Sequence, residues 1–466
     1  MNKILLLLLS FSLFFISNVD AQQRSAPPSE YESLLQRADQ PRAYTNHIVI
    51  PTTDGPATFG VIFRLDYDFI PFLRVRRGMN PDPEDAEYFA PVRMGLEIFE
   101  GHVNESRRAD RQRQTRSVFR ENYRDTVFVR TFEETKSRFD HAQGFLSTTL
   151  QPGKYNYNLQ LARGESVREQ SSQRRNVSIA ELDTLKSAGI VLLSDMERSD
   201  DNATATLLNF GSNVLYGQNY DLLFILPDDD SEEYQLSVYR LRSGDSTRKA
   251  ESSPTYEATL NRDDTFKGRN ARLEKSGDDI NLRIDRADSG IRFGSLSVPN
   301  NEFENARYKL ELKNGEGKLI SERIVNSQWL DMPVSLLNID VAINMLRFIV
   351  DRDKLRQLQS GSSAEKERKF REFWAERDPT PETEFNELMA EYYSRIDRAY
   401  QRFTTPQNPG FETDQGRSFI VYGEPRNITR EFPTNAPTKE IWEYRNRTLV
   451  FEATTGFGDF RLVEER

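Results

Sequence analysis

Pro152-Gly153-Lys154-Tyr155-Asn156-Tyr157-Asn158-Leu159-Gln160-Leu161 carries the clearest structural signal in the chain. Pro-Gly makes a turn. Tyr155, Tyr157, Leu159 and Leu161 then alternate with Asn156, Asn158 and Gln160. A period of two puts the apolar residues on one side of a half-buried antiparallel strand. The device recurs downstream. Tyr308, Leu310 and Leu312 alternate with Lys309, Glu311 and Lys313, and Asn314-Gly315-Glu316-Gly317 then signals a hairpin whose return strand starts at Leu319-Ile320.

Outward from these two strands lie many short runs rich in β-branched and aromatic residues. Before the first are His47–Ile50, Phe59–Phe63, Gly95–Phe99, Val127–Val129 and Phe145–Leu150. Between the two are Ala205–Leu208, Tyr220–Ile225, Tyr234–Tyr239 and Ile280–Ile284. Short strands at a spacing of roughly ten residues predict β-sandwiches. The expected architecture is mainly β: two β-sandwich-like, Ig-like domains at 43–180 and 188–328, then a C-terminal α+β domain at 335–466. Polar breaks at Glu165–Asn176 and Arg240–Pro254 separate the blocks.

After Leu336 the period changes. Met345, Phe348, Ile349, Leu355 and Leu358 follow helical spacing, and Gly361 ends that helix. A second helix, Ala364–Glu376, puts Phe370, Phe373 and Trp374 on one face. A third is expected to start at N-cap Thr380 with Pro381 in first position, and runs through Phe385, Leu388, Tyr392, Ile396, Ala399 and Phe403. Strands are expected at Arg417–Tyr422, Glu440–Tyr444, Thr448–Phe451 and Asp459–Val463. The unit is thus three helices followed by a small antiparallel sheet.

Within this unit stands Gly410-Phe411-Glu412-Thr413-Asp414-Gln415-Gly416-Arg417. It is preceded by Phe373-Trp374, Asp378-Pro379-Thr380-Pro381 and Asn386-Glu387. It is followed by Gly423-Glu424-Pro425, Glu440-Ile441-Trp442 and Phe457-Gly458. In this order and spacing the last quarter of the chain resembles the bacterial GWxTD domain, with Phe411 where the motif has Trp. Phe keeps the packing of an indole but loses its N–H donor, so the departure favours a core anchor. The family has no established activity. The resemblance therefore implies an architecture and an exported bacterial setting, not a reaction.

The N-terminus has the plan of a secretory signal peptide: Lys3, the apolar run Ile4–Ile16, then Val19-Asp20-Ala21. Cleavage is expected after Ala21, leaving a polar linker over 22–42 and a periplasmic or extracellular protein. The apolar run falls short of the ~20 residues that span a bilayer, and no transmembrane segment is expected after cleavage. The chain has no Cys, which excludes disulfides, thiol catalysis and thiolate metal sites. A net charge of −10 argues against general nucleic-acid binding.

Chemistry-bearing motifs are sparse. The 3 His are His47, His102 and His141, none paired at metal-ligand spacing. No cofactor or metal is called for. Asp228-Asp229-Asp230 lacks the ligand periodicity of a calcium loop and reads as a solvated turn. The Arg-rich segment Glu105–Arg124 fits a polyanion site or a charge-protected loop or edge strand, of which the second is preferred. Two readings stand for the motif carboxylates. Thr413 and Asp414 can serve local backbone hydrogen bonds with Gly416 supplying a permissive backbone, Arg377, Arg395 and Arg417 pairing with the acids. Alternatively, Asp414 with Glu387 or Glu412 can serve as the carboxylate pair of a glycan- or peptidoglycan-active hydrolase. The first is preferred. The function expected is a non-enzymatic cell-envelope module that binds or assembles with a protein or a surface glycan.

Overall fold

The computed structural model describes residues 30–37, 42–52, 55–103, 116–132, 134–137, 140–163, 169–180, 189–227, 231–242, 250–405, 407–434, 436–454 and 459–466. The signal peptide, Asp228–Asp230, Gly458 and the arginines at 107, 108, 111 and 113 lie outside these residues.

Helix α1 (Glu30–Arg37) comes first, inside the stretch expected to be linker. Strands β1 (Ala43–Ile50), β2 (Ala57–Asp66), β3 (Leu73–Arg74), β4 (Tyr88–Glu100), β5 (Ser117–Val129), β6 (His141–Leu150), β7 (Gly153–Arg163), β8 (Glu169–Ser171) and β9 (Arg175–Ile179) follow. They form two sheets. One has the order β1-β2-β6, and in the other β4 and β7 are central, with β5 paired only to β4. The sheets share a core of Phe59, Val61, Phe63, Leu96, Ile98, Tyr157 and Leu159. The alternation read at Tyr155–Leu161 is present, with one correction. Asn156 is buried rather than solvated, and its Nδ2 donates to Gly101 O at 2.7 Å. Arg120 and Arg124 lie exposed on the edge strand β5, where charge deters pairing with another chain.

The middle of the chain supplies β10 (Gly189–Arg198), β11 (Asn202–Leu207), β12 (Asn213–Leu215), β13 (Tyr220–Leu226), β14 (Glu233–Arg240) and β15 (Tyr256–Asn261). After these come β16 (Phe266–Ser276), β17 (Asp279–Arg286), β18 (Ile291–Val298), β19 (Arg307–Asn314) and β20 (Leu319–Gln328). Instead of a simple sandwich, β10-β11-β17-β16-β18-β13 close into a barrel, and β12-β20-β19-β14-β15 form a separate five-stranded sheet. Closure depends on two strands that change partner part-way. Strand β10 pairs with β13 through Gly189–Leu193 and with β11 beyond it, with a register shift between Leu193 and Asp195. Strand β16 pairs with β18 at its start and with β17 beyond, with a shift between Arg269 and Arg272. Asn270 sits inside that shift at φ 53°, the left-handed region that Asn tolerates. Bulges of this kind bend a strand around a corner. Strand β13 is apolar from Leu222 to Leu226 because both its faces are covered there. Leu223 and Ile225 face one core, and Leu222, Phe224 and Leu226 face the core shared with Tyr234, Leu236 and Leu310. Ile48, Ile50 and Ile62 of the first sheet join the former core.

The C-terminal region has helices α2 (Ile339–Met345), α3 (Arg352–Gln359), α4 (Ser363–Ala375), α5 (Glu387–Phe403) and α6 (Asp414–Tyr422). Its antiparallel sheet runs β21 (Asn427–Glu431), β22 (Lys439–Glu443), β23 (Thr448–Ala453) and β24 (Phe460–Glu465). Four expectations are corrected here. The single helix read from Met345 to Gly361 is two, α2 and α3, because Asp351 caps a new helix with its side chain accepting from Lys354 N, so the described unit has five helices rather than three. Residues 417–422, expected as a strand, belong to α6. Its short apolar run Phe419–Tyr422 is ambiguous by period alone, and the Thr413 cap decides for helix, with Gly423 at φ 79° ending it. The third long helix starts at Glu387, not at Pro381, because Asn386 is its N-cap and accepts from Met389 N at 2.7 Å. Residues 30–37 are helix rather than linker, and their Tyr31 and Leu34 enter the C-terminal core. Among the described residues no helix is long and apolar enough to cross a membrane.

Candidate functional site

The motif is a corner between α5 and α6. Thr404 follows the last turn of α5 and its Oγ1 accepts from Gly410 N at 2.9 Å. Residues 410–412 make one tight turn. A Cβ on Gly410 would lie 2.0 Å from Ala399 O, and one on Gly416 would lie 1.8 Å from Gly410 O. Both obstacles are backbone, so only glycine lets the corner seat on α5. Thr413 caps α6 and ties it to the turn before it. Its Oγ1 donates to Gly410 O at 2.8 Å and accepts from Gly416 N at 3.0 Å. Asp414, in the first turn of α6, accepts from Leu462 N at 2.9 Å and so ties the helix to β24.

Phe411 is buried, 4 % exposed, as are Trp374 and Trp442 at 3 % and 0 %. The Phe411 ring meets Tyr31 edge-on at 5.2 Å and Tyr400 at 5.9 Å. The Arg347 guanidinium lies 5.7 Å from the Phe411 centroid. Glu412 is held between Arg347 and Arg417, the latter at 2.9 Å.

The motif reaches the sheet through Gln415, which is buried. Its Nε2 donates to Glu440 Oε1 at 2.9 Å. The same oxygen accepts from Trp442 Nε1 at 2.7 Å, and Glu440 Oε2 accepts from Arg430 Nε at 2.6 Å. Glu440 is 3 % exposed, so its carboxylate is buried with donors on both oxygens. Glu440, Trp442, Arg430 and Arg402 border a cleft of about 920 Å³ that is also lined by Thr131 and Glu134 from the first β block. Arg402 pairs with Glu424 at 2.6 Å on its wall.

The other predicted residues have local roles. Asp378 Oδ1 accepts from Thr380 N at 3.0 Å, and Thr380 Oγ1 donates to Glu387 Oε2 at 2.5 Å. Asn386 Nδ2 donates to Trp374 O at 3.0 Å, joining the start of α5 to the end of α4. Pro379 and Pro381 are exposed, and Pro425 is buried. Gly423 O accepts from Tyr444 Oη at 3.1 Å. Arg377 and Arg395 pair with Glu376 and Glu391 rather than with the motif acids.

The histidines bond within the first β block. His47 Nδ1 is 3.1 Å from Tyr157 Oη, His102 Nε2 is 3.2 Å from Val177 O, and His141 Nε2 is 3.4 Å from Arg64. Burial, and then the charges of Arg175 and Arg323, push the His47 pKa down to about 4. Among the described residues no group of three or more His, Asp and Glu is placed to hold a metal ion.

Sequence reasoning missed the roles of Glu440, Gln415 and Tyr31. For Glu440 a signal existed. Glu440 and Trp442 stand two apart on a strand and therefore share its buried face.

A GWxTD domain, from an uncharacterised bacterial domain family, is present at residues 333–459. No curated protein sequence matches the chain. Among solved structures, a Salmonella alpha-2-macroglobulin reacted with methylamine is similar over 62 % of this chain, at 12 % identity and a TM-score of 0.15. The chain spans 17 % of the length of that structure. The collagen adhesin of S. aureus is similar over 61 % of this chain and 92 % of its own, at 9 % identity and a TM-score of 0.11.

Proposed function

We propose that the protein is an exported cell-envelope component that works by binding or assembly, with a protein or a surface glycan as ligand, rather than by catalysis. The chain is read as two β domains at 43–180 and 188–328 presenting the GWxTD domain at 335–466. One observation carries this. The motif side chain Thr413 bonds within the corner itself, and Asp414 and Gln415 bond to the sheet of their own domain. Glu412 is likewise spent on two arginines. A signature consumed in building a corner marks a scaffold, and what such a scaffold offers is its surface. The mixed-charge cleft beside Glu440 and Trp442 offers room for a ligand on that surface.

The test is a crosslinking pull-down from the native envelope, run beside a glycan-hydrolysis screen of wild type and Asp414→Asn. The expected result is a specific crosslinked partner and no turnover. Turnover by wild type, abolished in a folded Asp414→Asn protein, would replace this reading with the carboxylate-pair hydrolase.

A further inference from the structure

Helix α1 lies about three hundred residues before the domain on which it packs. Tyr31 and Leu34, three apart and hence on one face, are 3 % and 8 % exposed and belong to the C-terminal core. Tyr31 fills a slot between the rings of Tyr400, at 5.0 Å, and Phe411, at 5.2 Å. Its hydroxyl donates to Asp397 Oδ1 at 2.7 Å. The other oxygen of Asp397 accepts from Val334 N at 2.8 Å, which fixes the carboxylate in place. Asp397 is itself buried, 6 % exposed. Around the slot, Tyr400 Oη donates to Glu32 at 3.2 Å and Asn338 Nδ2 to Glu30 at 3.5 Å.

These contacts dock a helix remote in sequence onto the C-terminal core. An eight-residue helix is far below the length of ~12–15 at which isolated helices begin to hold in water. The helicity of α1 is therefore supplied by the surface beneath it. That surface presents an aromatic slot, a fixed acceptor for a phenol at its end and donors for flanking carboxylates. The position that defines the family motif, here Phe411, forms one wall.

We infer that Asp397, Tyr400 and Phe411 form a helix-binding groove, filled in this chain by its own α1 and open to exchange. The partner it fits is an amphipathic helical segment of another protein, bearing Tyr and, three residues on, Leu, with a carboxylate on either side of the Tyr. The inference rests on the binding-module reading for its biological sense, but the groove chemistry stands apart from the cleft.

The experiment uses the full chain with Tyr31→Ala and Leu34→Ala together, which empties the groove. A fluorescently labelled, end-capped peptide of residues 28–39 is titrated against it and followed by anisotropy. The emptied protein should bind the peptide at least tenfold more tightly than wild type. A peptide with Tyr31→Phe should bind roughly tenfold more weakly, and Phe411→Ala in the emptied protein should abolish binding. Equal binding to wild type and to the emptied protein would overturn the inference, as would no binding by a folded emptied protein. Hydrogen exchange on wild type gives a second measurement that needs no variant. The amides of α1 should exchange at least a hundredfold faster than those of α5. Equal protection would make α1 a fixed part of the core and refute exchange. A failed pull-down with successful peptide capture would remove the proposed function and leave the groove. The converse would remove the groove alone.

Discussion

Replacing Glu440 by Ala should unfold the C-terminal domain at markedly lower denaturant. Its carboxylate receives Trp442 Nε1 at 2.7 Å, Gln415 Nε2 at 2.9 Å and Arg430 Nε at 2.6 Å. Trp442 and Gln415 are 0 % and 5 % exposed, so deleting the acceptor strands two buried donors. Each stranded donor costs about 1–3 kcal/mol. The Arg430 side chain is 61 % exposed, and losing its pairing adds little. The sum is a loss of about 2–6 kcal/mol. Glu440→Gln should fall between wild type and Ala, since one amide oxygen can still accept while its NH₂ faces another donor. Urea unfolding followed by tryptophan fluorescence reads the effect, because Trp374 and Trp442 are both buried in this domain. The decisive comparison is a double-mutant cycle with Gln415→Leu, which removes the amide at similar size. Once Gln415 is gone, Glu440→Ala should cost about 1–3 kcal/mol less than it does alone. A cost below about 1 kcal/mol for Glu440→Ala, with no coupling in the cycle, would refute the reasoning and make Glu440 a solvated lining of the cleft.

Gly416→Ala should destabilise the same domain by at least about 1–3 kcal/mol, because its Cβ would lie 1.8 Å from the backbone oxygen of Gly410. Thermal unfolding checks this, and an unchanged melting temperature would show that the corner gives way freely. Stability should also fall in acid through His47. Its folded pKa is about 4, against an ordinary value near 6.5, so the unfolded chain takes up the proton first. The His47 contribution is complete above about pH 6.5 and is lost as pH falls from there towards 4, a change of up to about 3 kcal/mol. His47→Gln should flatten that limb of a plot of urea midpoint against pH. An unaltered slope would place the acid sensitivity elsewhere.

The period-two alternation at Tyr155–Leu161 and Tyr308–Leu312, and the helical spacing after Leu336, were legible because each is written within ten to twenty residues. So was the burial of Phe411, since a phenyl ring in place of an indole keeps only its packing. The start of α5 was misplaced because Thr380-Pro381 has the residue types of a cap and a first helical position, whereas the cap is Asn386, whose Oδ1 accepts from Met389 N. The Phe419–Tyr422 run is short enough to suit a strand or a helix, and the corner that binds Gly416 N and Leu462 N made it a helix.

Barrel closure was out of reach of the sequence. It depends on β10 and β16 each changing partner at a bulge, and a partner change leaves the alternation of residues intact on either side of it. The helix at Glu30–Arg37 was hidden for a related reason. Eight residues of moderate amphipathicity do not hold a helix by themselves, and the residues that stabilise it, Asp397, Tyr400 and Phe411, are distant in sequence. By itself, then, the sequence determined which segments have one apolar face and where the chain must turn. Which faces meet was decided by tertiary structure, because burial and hydrogen bonding are satisfied by whatever is near in space.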